Sequence, residues 1–182
     1  MSSLQTENDQ IQNIGEKPMF DLLGVLIQFL VTPQEAGDSL CLIRQIIRPG
    51  IVIPLHSHAN PEMLYILDGS VEVFQAGDGW TMLGAGDVVG IAGDVEHALR
   101  NSCSLPVTLL GFTKSELYEF FRELARPFDP DDSRDAPTPE AMSELFAACV
   151  KHHYWLASMQ ENATIGLTAL QTAVSDPGMH SA

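Results

Sequence analysis

From residue 20 to residue 113 the chain alternates short apolar runs with turn signals, and that alternation leaves few folds open to it. Pro33, Gly37-Asp38, Pro49-Gly50, Asn60-Pro61, Asp68-Gly69, Gly77-Asp78-Gly79, Gly84-Ala85-Gly86-Asp87 and Gly93-Asp94 each break the backbone. The runs between them are rich in Val, Ile and Leu and short enough for strands. They predict strands at 22–31, 39–48, 51–58, 62–67, 70–75, 87–91, 96–101 and 106–113, packed as an antiparallel sandwich or barrel. Hydrophobic residues make up 45% of the 182, enough for the core of one domain.

The pattern changes after Thr113. Ser115 can cap a short helix carrying Leu117, Phe120, Phe121 and Leu124 at helical spacing. Residues 127–139 form a Pro/Asp-rich linker. Thr138-Pro139 then has the form of an N-cap with Pro at the first helical position, followed by an apolar stripe of Met142, Leu145, Phe146, Cys149 and Val150. The expected organisation is a polar N-terminal segment at 1–19, a barrel at 20–113 and a helical C-terminal extension at 114–182. The tail beyond Leu156 is compatible with a packed helix or with a mobile end.

Charge narrows the partners. The chain holds 9 Lys+Arg against 24 Asp+Glu, a formal charge of −15, so it lacks the basic footprint that nucleic acid or an anionic membrane requires. The longest apolar stretch, 22–31, is interrupted by Gln28 and too short to span a bilayer. No secretion signal is visible, and Cys41, Cys103 and Cys149 are scattered, which reads as reduced thiols of a cytoplasmic protein.

The chemistry concentrates in one segment. His56 and His58 stand at i and i+2 of an expected strand, which points both imidazoles to one face. A turn at Asn60-Pro61 can return the chain so that Glu62 begins the next strand on that face too. His97, after the turn at Gly93-Asp94, can add a third imidazole. Imidazoles and a carboxylate converging on one point suit a divalent transition metal. Alternation gives Leu64 and Ile66 the face of Glu62, and gives Leu99 the face of His97. Charge puts Val71, Val73 and Gln75 inside and Ser70, Glu72 and Phe74 outside, with Arg100 outside as well. Such walls suit an apolar small molecule, and equally fill a small barrel.

These residues resemble a known family. Gly50-x5-His56-x-His58-x3-Glu62-x6-Gly69 is similar to the first cupin motif at every position. Gly86-x5-Ala92-x-Asp94-x2-His97-x3-Asn101 is similar to the second, with Ala92 where the family usually has Pro and Asp94 where it usually has Gly. Both departures fall in the turn before His97. Asp tolerates the left-handed conformation better than most residues, so the second is mild. The resemblance implies an all-β double-stranded β-helix (jelly-roll) barrel with a C-terminal α-helical extension. It implies His56, His58, Glu62 and His97 as ligands of one divalent metal ion (iron, nickel, manganese, cobalt, copper or zinc). The segment 116–124 also resembles the helix that comes after the barrel in single-domain cupins related to quercetin dioxygenases. By that likeness the chain is an enzyme of oxidoreductase type, a dioxygenase of a small apolar or aromatic enol- or phenol-type substrate. Glu62 would take the substrate proton, and the active form would be a homodimer. Two alternatives stay open on the same residues: a non-redox isomerase, cyclase or lyase, and a small-ligand-binding barrel without turnover.

Other polar clusters read as ordinary. His152 and His153 are adjacent on an expected helix and do not face one point. The acidic run 129–135 lacks a calcium-loop pattern, and Cys103 reads as a structural thiol.

Overall fold

The computed structural model describes residues 17–130 and 137–167. Most of the expected polar N-terminal segment, the acidic centre of the linker and the end of the tail lie outside the described residues. The strands are β1 (Phe20–Leu22), β2 (Val25–Val31), β3 (Leu40–Ile47), β4 (Val52–Ser57), β5 (Glu62–Asp68), β6 (Ser70–Gln75), β7 (Gly79–Gly84), β8 (Val88–Ile91), β9 (His97–Arg100), β10 (Val107–Lys114), β11 (Arg126–Pro127) and β12 (Trp155–Leu156). The helices are α1 (Ser115–Leu124), α2 (Pro139–His152) and α3 (Met159–Thr164).

Two antiparallel sheets form the jelly roll. One runs β11-β1-β2-β3-β10-β5-β8 and the other β12-β4-β9-β6-β7. Period-two alternation decides what faces inward. In β5, Leu64 and Ile66 are buried while Met63, Tyr65 and Leu67 are exposed. In β6, Val71 and Val73 are buried, and Glu72 faces out to take a bidentate pair of hydrogen bonds from Arg100 at 2.7 and 2.8 Å. Ile27, Ile43, Ile66 and Leu109 of the larger sheet meet Val71, Val73 and Leu99 of the smaller one in a single core.

The structure departs from the sequence reading in four places. The expected strand 22–31 is a hairpin, because Leu23 and Gly24 take φ of 55° and 97° and split it into β1 and β2. Strand β7 is an addition, since glycines at both ends make its sequence read as turn; it pairs with β6 from Gly79 to Gly84. Ser115 is the first residue of α1 and not its cap; the cap position is Lys114, without a side-chain bond. Thr138 does cap α2, accepting from the Ala141 amide at 3.2 Å.

The fourth departure is in the extension, expected as helical, whose described part also contributes β11 and β12 to the two sheets. His153 closes α2 in the left-handed region at φ 59°. The chain then adds β12 to the outer edge of β4, pairing Leu156 with His56. Asn162 of α3 is buried and spends its side chain on this joint. Its Oδ1 accepts from the Leu55 amide at 2.9 Å, and its Nδ2 donates to the Ala157 and Ser158 carbonyls. The Trp80 indole N–H donates to the Ile165 carbonyl at 2.7 Å. Among the described residues no helix is long and apolar enough to cross a membrane.

Replacing Asn162 leaves a β4 amide without its acceptor. Asn162→Ala is expected to lower stability by about 1–3 kcal/mol and to lower the thermal midpoint by roughly 2–4 °C for each of them. A calorimetric melt of the full chain checks this.

Candidate metal centre and its cavity

Strand β4 carries His56, and His58 lies just past its end. A register shift between Ile53 and His56 re-aims the strand so that His56 pairs across to His97, the first residue of β9. Their ring centroids are 4.1 Å apart, and those of His58 and His97 are 5.1 Å apart. The turn at Asn60-Pro61 carries the chain from the smaller sheet to the larger. Glu62 therefore begins β5 on the opposite wall instead of returning along the face of the histidines. The carboxylate closes the site from across the barrel: Oε1 lies 3.7 Å from His58 Nε2, and Oε2 lies 3.8 Å from His97 Nε2.

The turn before His97 holds the geometry the two motif departures called into question. Asp94 takes φ 64°, as the left-handed tolerance of Asp allows, and its amide donates to the His58 carbonyl at 2.7 Å. Gly93 beside it has no room for a side chain, because a Cβ there would collide with the Ala59 carbonyl.

Each imidazole is fixed by its other nitrogen. Nδ1 of His56, His58 and His97 each lies 2.8 Å from a backbone carbonyl, those of Pro54, Asn60 and Val95. A carbonyl only accepts, so the proton sits on Nδ1 and Nε2 is left as a bare lone pair. One ring nitrogen from each of these three residues lies within 4.8 Å of the other two. Nε2 of both His58 and His97 is buried with no hydrogen-bond partner. Buried polar atoms without partners are rare and costly. An N/O donor set held in this tautomer fits a divalent transition metal.

Burial dominates the protonation of the cluster. It holds His56 down at about 3, helped by the neighbouring His97, and His58 down at about 4; it lowers His97 as well. It raises Glu62 from 4.5 to about 7. The imidazoles are thus neutral, and the contacts of Glu62 with them, too long for hydrogen bonds, are not ion pairs.

Above these residues lies a cavity of about 140 Å³. Its polar lining includes His56, His58, Glu62 and Gln45. The barrel contributes Leu64 and Leu99, as expected, while helix α1 contributes Leu117, Phe120 and Leu124. The segment after α2 contributes Tyr154 and Trp155. Tyr154 and Asn60 are the site residues that the sequence reading missed. The Tyr154 hydroxyl donates to Asn60 Oδ1 at 2.9 Å, and Asn60 Nδ2 donates to Glu116 Oε2 at 3.0 Å. The Asn60 carbonyl is the one that orients His58. Neither residue has a local sequence signal, because both act through contacts between distant segments. His152 pairs with Glu123 at 3.0 Å on the surface, and Cys103 is a free thiol.

Glu62 has a folded value above its unfolded one, so its contribution is present below about pH 4.5 and is lost as pH rises through about 7. In metal-free protein Glu62→Gln is therefore expected to be more stable than wild type at pH 8, by on the order of 3 kcal/mol, with the gap closing below pH 4.5. Paired melts across that range check it. A divalent transition ion added in excess at neutral pH is expected to raise the melting temperature of wild type, and His58→Ala or His97→Ala to lose most of that rise. Elemental analysis of the same samples gives the stoichiometry.

Comparison with known proteins agrees with this architecture. A family model for the cupin domain matches residues 43–112. No curated protein sequence matches the chain. Among solved structures, the chain is similar to the DMSP lyase DddQ from Ruegeria pomeroyi DSS-3, with 30% identity over 42% of this chain and 39% of that one and a TM-score of 0.40. It is similar to a predicted oxalate decarboxylase from Thermotoga maritima, with 19% identity over 58% of this chain and 98% of that one and a TM-score of 0.53. It is also similar to an RmlC-like cupin from Shewanella frigidimarina NCIMB 400, with 18% identity over 58% and 90% of the two chains and a TM-score of 0.50. The chain thus spans well under half of the lyase. The last two likenesses are of fold alone; the segment that matches the cupin domain, 43–112, is the one that carries His56, His58, Glu62 and His97.

Proposed function

We propose that the chain is a metal-dependent enzyme acting on a small, largely apolar substrate, and that its reaction is the oxygenation of an enol- or phenol-type group. One observation carries this reading: bare imidazole nitrogens and a carboxyl converge at the floor of an apolar cavity. His56, His58, Glu62 and His97 would hold the ion, with Glu62 the ligand free to leave it. When bound, the ion would supply Lewis-acid polarisation of a substrate oxygen and a template for a second reactant.

The chain's own residues supply the rest. The apolar walls exclude water from the floor, which strengthens every polar contact made there. Glu62 reaches over the same floor from the opposite sheet and is placed to accept the proton of a substrate hydroxyl. Nδ1 of each histidine, tied to its carbonyl, keeps the rings from turning away as substrate enters.

The same placement of Glu62 supports a second reading, a non-redox isomerase, cyclase or lyase in which the carboxyl moves a proton between substrate atoms. Oxygen dependence separates the two. Metal-loaded protein is expected to consume dioxygen with a phenolic or enediol substrate and to fall silent under anaerobic conditions. Glu62→Gln is expected to lower kcat by roughly 10²–10⁴. Undiminished turnover without oxygen rejects the oxygenase and leaves the non-redox enzyme.

A further inference from the structure

The size of the cavity and its outer wall carry information beyond the reaction type. A dry protein cavity of about 150 Å³ holds one benzene molecule. The cavity of about 140 Å³ over His56, His58 and Glu62 is close to that size, which matches one six-membered ring with its oxygen substituents better than a linked system of three.

Tyr154 forms part of the outer wall of that cavity. Its ring centroid lies 5.2 Å from that of His58 and 4.7 Å from that of Phe120, so it spans from the histidines to helix α1. The ring is held at both ends. Its amide donates to the Cys149 carbonyl at 2.9 Å, and its hydroxyl to Asn60, a buried side chain bonded onward to Glu116. Burial, then the neighbouring carboxylate of Glu116, holds the phenol well above its ordinary value, so the hydroxyl stays a donor at neutral pH. An anchored aromatic wall restricts a pocket without any cost of ordering it on binding.

We infer that Tyr154 is the specificity-determining residue of the site and limits it to single-ring phenolic or enolic substrates. The substrate's chemistry rests on the proposed enzyme; its size rests on the cavity alone.

The test is the binding of phenol, 2-naphthol and 3-hydroxyflavone to the full chain, metal-free and loaded. Binding is tracked by the emission of Trp155, which lines the same cavity, and Trp155→Phe assigns the signal. Wild type is expected to bind phenol and to bind 3-hydroxyflavone at least about tenfold more weakly, the least discrimination an apolar pocket makes over one methylene. Tyr154→Ala removes a ring of benzene size and is expected to raise 3-hydroxyflavone affinity at least about tenfold. Tyr154→Phe keeps the ring and should keep the wild-type order. Failure of phenol to bind, wild-type affinity for 3-hydroxyflavone equal to or above that for phenol, or an unchanged order in Tyr154→Ala each overturns the inference. Should Tyr154→Ala not fold, Tyr154→Leu takes its place, and the wild-type series is decisive on its own. Size selection without turnover of any compound supports this inference while counting against the oxygenase. Turnover without size selection does the reverse.

Discussion

Hydrogen bonds from three imidazole Nδ1–H groups to backbone carbonyls two residues away govern what the interior of this barrel can do. Each sets the tautomer, and the tautomer leaves the buried Nε2 of His58 and of His97 as an acceptor with nothing to accept. Without them the rings could turn, donate to one another or to Glu62, and form an ordinary buried polar cluster. With them the barrel keeps neutral imidazoles and a carboxyl of raised proton affinity side by side. That arrangement costs folding free energy, which the buried Val, Leu and Ile faces of the two sheets offset.

The extension serves the same centre from outside. It lengthens the smaller sheet by pairing with β4 opposite His56 and holds that strand's amide through Asn162. It then turns Tyr154 over His58 and ties it to Asn60, whose carbonyl orients that ring. One segment thus supports the ligand strand, roofs the cavity and braces a candidate ligand. A barrel of this fold without it would leave β4 as an open edge and the histidines under water.

Much of this is legible in the sequence. Alternation in β5 and β6 places Leu64, Ile66, Val71 and Val73 inside, since a strand has only two faces and one must be apolar. The left-handed turn at Asp94 agrees with a local preference of Asp. Strand β7 is hidden because its glycines signal turns whether or not a strand lies between them. The hairpin inside 22–31 is hidden because Leu23 takes a positive φ that no sequence rule assigns to Leu.

What the sequence by itself determined is the set of short-range facts: the antiparallel class, the paired histidines of one strand, the third histidine after a turn and the apolar faces. Each depends on residues within a few positions of one another, where spacing and backbone preference suffice. The tertiary structure alone decided that Glu62 meets the histidines from the opposite sheet, and that Tyr154 reaches Asn60 across 94 positions of chain to close the cavity. Those contacts arise from how two sheets and a returning tail pack together. Packing is a property of the whole chain that no local pattern encodes.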